Sequence, residues 1–173
     1  MKRPTWATVV GVLGIIFGLL GLIGAAQTII MPKMIQTQKE LFSGMEKTMQ
    51  TATPEQRAAT EGMKKMVDSM LGQIPPWFEA WFVFIGILAL LVNAIYIFAA
   101  IALLLVKKIA IDLFLFSTSF SIVLGVGKMI ASANIFSQMG YGMIFSGSIG
   151  IIIDIILLIV VAMGDKTAFY DEQ

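Results

Sequence analysis

The chain has no cysteine and no histidine, and only 13% of its 173 residues carry a charge. Without cysteine it forms no disulfide, no thiolate metal site and no redox pair. Without histidine it lacks the usual general base near neutrality and the usual metal ligand. Basic and acidic side chains number 12 and 11, for a formal net charge of +1. With no basic block in the chain, nucleic-acid binding is excluded. A soluble domain carries about 25% charged residues, with its apolar positions broken by a surface-facing period. The deficit here excludes an ordinary soluble enzyme, and the surplus of apolar residues excludes a disordered chain.

What is present is hydrophobic: 58% of the residues, with a mean hydropathy of +0.89. The apolar residues come in runs longer than about 18, the length that crosses a bilayer. Four such runs stand out, Trp6–Met31, Trp81–Val106, Ile109–Phe136 and Gly142–Met163. In hydrocarbon every backbone polar group must be satisfied within the segment, so runs of this length are helices. No alternating strands of about 10 residues suggest a barrel. The expected fold class is therefore all-α: a four-helix transmembrane bundle with an extramembrane helical hairpin between helices 1 and 2. The expected organisation is a cytoplasmic N-terminus with the first span over 1–31, an external amphipathic hairpin over 32–80, spans over 81–106, 109–136 and 142–163, and a cytoplasmic tail over 164–173. The first span is expected to stop at Pro32-Lys33.

Lys2, Arg3, Lys107, Lys108 and Lys166 flank the spans on one side, and Ser137–Tyr141 on the other carries no charge. The positive-inside rule then predicts a multi-pass protein of the plasma (inner) membrane, both termini cytoplasmic and 32–80 external. Trp77 and Trp81 suit the outer interface and Trp6 the inner one. Lys2-Arg3 followed by an apolar run and Gly24-Ala25-Ala26 also resembles a cleavable leader. The run continues to Met31, however, which favours an uncleaved anchor.

Residues 32–76 hold six basic and five acidic side chains. Thr53-Pro54-Glu55-Gln56 reads as a helix start, with Thr as N-cap and Pro at the first helical position. The helix it opens places Met63, Met66 and Met70 on one face, opposite Met45 and Met49. Thioethers at this spacing admit Cu(I), but with no His or Cys beside them an adaptable partner-binding face is the preferred reading. No resident cofactor or metal is expected.

Two ionisable residues fall deep in the spans, Lys128 and Asp154. With a turn near Met139-Gly140, Lys128 lies about 17 Å above it and Asp154 about 22 Å, one helical turn apart. Lys128 shares a face with Ser117, Ser121, Gly125 and Ser132, and Asp154 with Ser146 and Gly150. The expectation is an ion pair that fixes helix register; the competing reading is an ion, proton or substrate site. Asn93 is expected to bond a serine of the third span. Gly11, Gly14, Gly18 and Gly21 line one face of the first span, and with Gly125 and Gly150 they are expected at helix contacts or at a homo-oligomer seam.

Catalytic signatures are missing. Ser132 lies one turn from Lys128 but no oxyanion motif accompanies them, Asp154 is the only deep carboxylate, and no Walker or dinucleotide motif occurs. The layout of four spans with a sizeable first loop is similar to that of claudin-like proteins. The Trp-Gly-Leu-Trp signature and two cysteines of their loop are absent, so nothing carries over. The function expected from sequence is non-enzymatic: an accessory or scaffold protein in the lipid bilayer, binding a protein partner or copies of itself. The alternative is a small ion, proton or solute transporter or channel.

Overall fold

The computed structural model describes residues 4–48, 61–62, 75–135 and 140–170. Every regular element among them is helical. They are α1 (Thr5–Thr48), α2 (Phe78–Leu104), α3 (Ile109–Ile135), α4 (Gly140–Met163) and the short α5 (Thr167–Tyr170). Three of these, α1, α2 and α3, are long and apolar enough to cross a membrane, and Ser148–Met163 of α4 is a shorter apolar stretch. Apolar side chains on all sides of α2 explain why it forms a helix buried along one stripe and greasy along the other: Phe82, Ile85, Ala89, Val92, Tyr96, Ala99 and Leu103 face inward, Phe84, Leu91 and Phe98 outward.

The first helix corrects the expected break at Pro32. α1 runs for 44 residues with Pro32 inside it, about 66 Å at the usual rise. An internal proline removes one helix hydrogen bond and costs about 3 kcal/mol. Tertiary contact on both sides of it offsets that cost. Met31 and Ile35 pack against buried Phe78 and Phe82, and Gln36 Nε2 donates to Glu79 Oε2 at 3.0 Å. The first arm of the expected hairpin is thus the continuation of α1 through Thr48. Its second arm, from Thr53 to Gly72, lies outside the described residues apart from Glu61 and Gly62.

α1 packs along α2, α2 on α3 and α3 on α4, with a lighter contact between α1 and α4. Glycine decides the first of these. A Cβ on Gly18 would overlap Ile97 and press on Tyr96, one on Gly14 would overlap Ala100, and one on Gly11 Leu104. On Gly21 it would meet the Asn93 amide. The glycine face of α1 is therefore buried against α2 rather than free for a second copy of the chain. Gly125 lies against Ile151 of α4, whereas Gly150 has nothing near its Cβ position and is exposed, so Gly150 is not at a helix contact.

The buried residues form two principal apolar layers. One gathers Ala7, Val10, Ala99, Leu103, Ile111, Phe114, Leu157 and Val161; the other gathers Ala25, Ile85, Ala89, Val92 and Leu124. The chain ends close the first layer. Trp6 Nε1 donates to the Asp165 carbonyl at 3.2 Å, and its ring meets buried Phe169 at 5.7 Å. Thr167 N–H donates to the Asp165 carboxylate at 3.0 Å and holds that carboxyl below its usual range. Lys108 lies 5.8 Å over the Tyr170 ring. The α2–α3 turn ends α2 with Lys107 N–H bonded to Ala102 O and Val106 N–H to Leu103 O, which places Val106 at φ 54°. That is a position where glycine is usual.

Two stability outcomes follow from this packing. Gly18→Ala should lower stability in detergent by about 1–3 kcal/mol through overpacking, whereas Gly24→Ala, with open space at its Cβ, should be neutral or gain up to about 1 kcal/mol from helix propensity. Val106→Gly should raise the unfolding midpoint, since a β-branched residue in the left-handed region is strained by about 1–2 kcal/mol. An unchanged or lower midpoint would show that the turn is unstrained.

Candidate functional site

Between the two apolar layers lies a set of polar side chains from α2, α3 and α4. Tyr96 enters it because Gly14 and Gly18 leave room for its ring, within 3.8 and 3.2 Å of where their Cβ atoms would be. The ring packs on Phe114 at 5.0 Å, and this fixes the direction of the hydroxyl. Tyr96 OH approaches Asp154 Oδ1 at 3.5 Å, and Ser121 Oγ donates to Asp154 Oδ2 at 2.8 Å. Ser117, 1% exposed, donates to the Phe114 carbonyl of its own helix at 3.1 Å, so it does not reach the carboxylate. Thr118 is 0% exposed, and its hydroxyl lies beside Tyr96 but completes no hydrogen bond among the described residues. A fully buried hydroxyl left without a partner is uncommon.

Lys128 belongs to a different level of the fold. Its Nζ donates to Thr28 Oγ1 at 3.4 Å, and Thr28 donates in turn to the Gly24 carbonyl at 2.7 Å. Thr28 stands four residues before Pro32, whose missing N–H leaves the Thr28 carbonyl without its helix donor. Lys128 thus rests against a locally electron-rich turn of α1. In transmembrane helices Ser and Thr side chains and neighbouring helices characteristically compensate a proline in this way.

The expected Lys128–Asp154 ion pair is corrected by these partners. Ser121 is level with Asp154 and Gly125 with Ile151, which puts Lys128 level with about Ser148. The two charges are then about six residues apart along the axis, roughly 9 Å at the helical rise. The register differs by about three residues from that expected of a turn at Met139-Gly140. That difference turns one helical turn of separation into nearly two.

Of the other expected site residues, Ser121 and Asp154 come together, and Ser117 sits beside them but bonds locally. Asn93 does not bond a serine of α3. Its Nδ2 donates to the Ala89 carbonyl at 2.7 Å and its amide covers Gly21. The side chains of Ser132 and Ser146, and the methionine face at Met45, Met49, Met63, Met66 and Met70, lie outside the described residues. Among the described residues no group of His, Cys, Asp or Glu could hold a metal ion. Tyr96, Thr28 and Thr118 were not among the residues expected at the site. Thr28 carried a readable signal, a threonine four residues before an intrahelical proline; Thr118 carried none, since only the packing of α2 on α3 encloses it.

No protein-family model, curated protein or solved structure matches the chain.

Separate partners make the two charges thermodynamically separate. Lys128→Met and Asp154→Asn should change stability additively, within about 0.5 kcal/mol in a double-mutant cycle. A double variant clearly more stable than the sum of the singles would restore the ion pair.

Proposed function

We propose that the chain is a multi-pass integral membrane protein that moves an ion, a proton or a small solute across the bilayer, with Asp154 as the residue on which movement depends. The observation that carries this reading is a carboxylate set among apolar layers with hydroxyl partners and, among the described residues, no cationic one. Ionisable groups placed at such depth without a counter-charge are characteristic of translocation pathways rather than of packing.

Support for membrane insertion comes from the surface. α1 exposes Val9, Val12, Ile16, Leu19, Ile23 and Ile30 at 47–57%, an apolar stripe far larger than soluble monomers present. α4, at 24 residues, measures about 36 Å, enough for a fourth span and hence for a four-helix transmembrane bundle. Trp6, Lys107, Lys108 and Lys166 gather at one end, and Trp77, Glu79 and Trp81 stand at the other. With lysines facing the cytoplasm, the reading we propose has both termini inside, residues 32–80 outside and the protein in the plasma (inner) membrane. No step here is enzymatic. A scaffold role through the glycine faces loses its support, because Gly11, Gly14, Gly18 and Gly21 already pack on α2.

The test is flux. The full chain reconstituted in liposomes, under an imposed pH or salt gradient, should dissipate that gradient faster than empty liposomes do. Asp154→Asn should slow it at least about tenfold, the loss expected when a group that must take and release the ion is removed. Asp112→Asn, at an exposed carboxylate in the first turn of α3, should leave it unchanged. Equal rates in wild type and Asp154→Asn would overturn the reading.

A further inference from the structure

We infer that the site takes a small zwitterion, a molecule whose ammonium group meets Asp154 and whose acid group meets Lys128, held in a gap between α1 and α4. The inference rests on the transport reading above and names its solute class.

Both charges leave hydrogen-bonding capacity unspent. A lysine ammonium has three N–H donors, and Lys128 places one of them on Thr28 Oγ1 at 3.4 Å. An ionised carboxylate accepts about four hydrogen bonds, and Asp154 accepts from Ser121 and Tyr96. Among the described residues neither charge has a partner of opposite sign. Both side chains are partly exposed, unlike the buried Ser117 and Thr118.

The levels between the two charges are open. α1 and α4 meet at the Trp6 end of the fold, where a Cβ on Gly164 would overlap the Trp6 ring and where Val10, Leu157 and Val161 are buried. Gly150 lies one turn from Asp154 on the same face of α4, on the Lys128 side. Gly24 lies one turn from Thr28 on the same face of α1, on the Asp154 side. Among the described residues nothing comes within 4 Å of the Cβ position of either glycine. Leu157 and Val161 share the helix face of Gly150, so this face of α4 is sealed at their levels and exposed at Gly150. The gap therefore begins at the carboxylate and runs toward the ammonium, away from the Trp6 end.

The charges select the occupant. They stand on levels about 9 Å apart along the axis. With a charge-assisted hydrogen bond of about 2.8 Å at each end, about 3–4 Å remains between the charged atoms of the ligand itself. An ammonium and a carboxylate joined through one or two carbons, as in an amino acid, have that spacing. A lone anion drawn to Lys128 would face the Asp154 carboxylate, and a lone cation drawn to Asp154 would face the Lys128 ammonium. Away from water such charges still act on one another at this distance. A zwitterion answers both and brings no net charge among the apolar layers.

The experiment is equilibrium binding of radiolabelled glycine and β-alanine to the full chain in a maltoside detergent, whose headgroup is uncharged. Saturable binding is expected. Ethylamine, propionate and the long-spaced 6-aminohexanoate should compete about ten- to a hundredfold more weakly, the fold-change carried by one hydrogen bond to a charged group. Lys128→Met and Asp154→Asn should each weaken binding by a similar factor, and Asp112→Asn should leave it unchanged. Phosphatidylethanolamine, which carries both charges on a lipid, should not displace β-alanine; binding of that lipid in place of the free compounds would overturn the assignment to a solute. No binding of either amino acid, or competition by ethylamine or propionate as strong as that of β-alanine, would overturn the inference on the wild-type chain alone. Binding without movement of labelled β-alanine or dissipation of a gradient in liposomes would fail the transport reading and leave the site standing. Asp154-dependent dissipation without amino-acid binding would do the reverse.

Discussion

The close approach of α1 to α2 is the constraint from which the site follows. Gly14 and Gly18 let the two helices come close, with Ala100, Ile97 and the ring of Tyr96 lying against them. The Tyr96 hydroxyl is then carried past Phe114 toward Asp154. In an apolar medium, where burial by itself gives helices little reason to associate, small residues supply the contact by letting dispersion act over a long seam. Here the same seam aims a polar group. Packing and chemistry therefore share one cause, and a methyl group added to the seam disturbs both.

Two opposite charges inside the fold are accommodated in different ways. Lys128 finds a turn of α1 made electron-rich by Pro32 and finished by the Thr28 hydroxyl. Asp154 finds hydroxyls alone. Charge pairing would have made both inert, since a close buried pair needs nothing more than its geometry. Separation by nearly two helical turns leaves the carboxylate with hydroxyl partners and, among the described residues, no cationic one. It lies in a thin polar layer, with apolar layers above and below that include Leu103 and Val161 on one side and Val92 and Leu124 on the other.

The two ends of the molecule are held together differently. At one, Trp6, Phe169, Lys108 and Tyr170 knit the N-terminal turn of α1 to the segment after α4. At the other, α1 runs on past Pro32 beyond the start of α2 and keeps contact through Gln36 and Glu79. Proline thus serves less as a stop than as the place where α1 gives up a hydrogen bond and Lys128 comes in.

Much of this was legible in the residues themselves. Run length and hydropathy announced long apolar helices, because length and composition decide whether a backbone can satisfy itself away from water. The glycines at 11, 14, 18 and 21 announced a contact face, and the spacing of Ser117, Ser121 and Gly125 announced an inward-facing stripe on α3. What the chain alone left undetermined was how far one helix slides along its neighbour. A slip of about three residues moves a side chain by nearly one turn, and nothing in a stripe of serines and glycines sets that slip. Tertiary packing set it, through Ile151 against Gly125 and Tyr96 against Gly18, and so decided that Lys128 meets Thr28 while Asp154 meets Ser121. Periodicity is a property of a single helix, whereas register belongs to a pair.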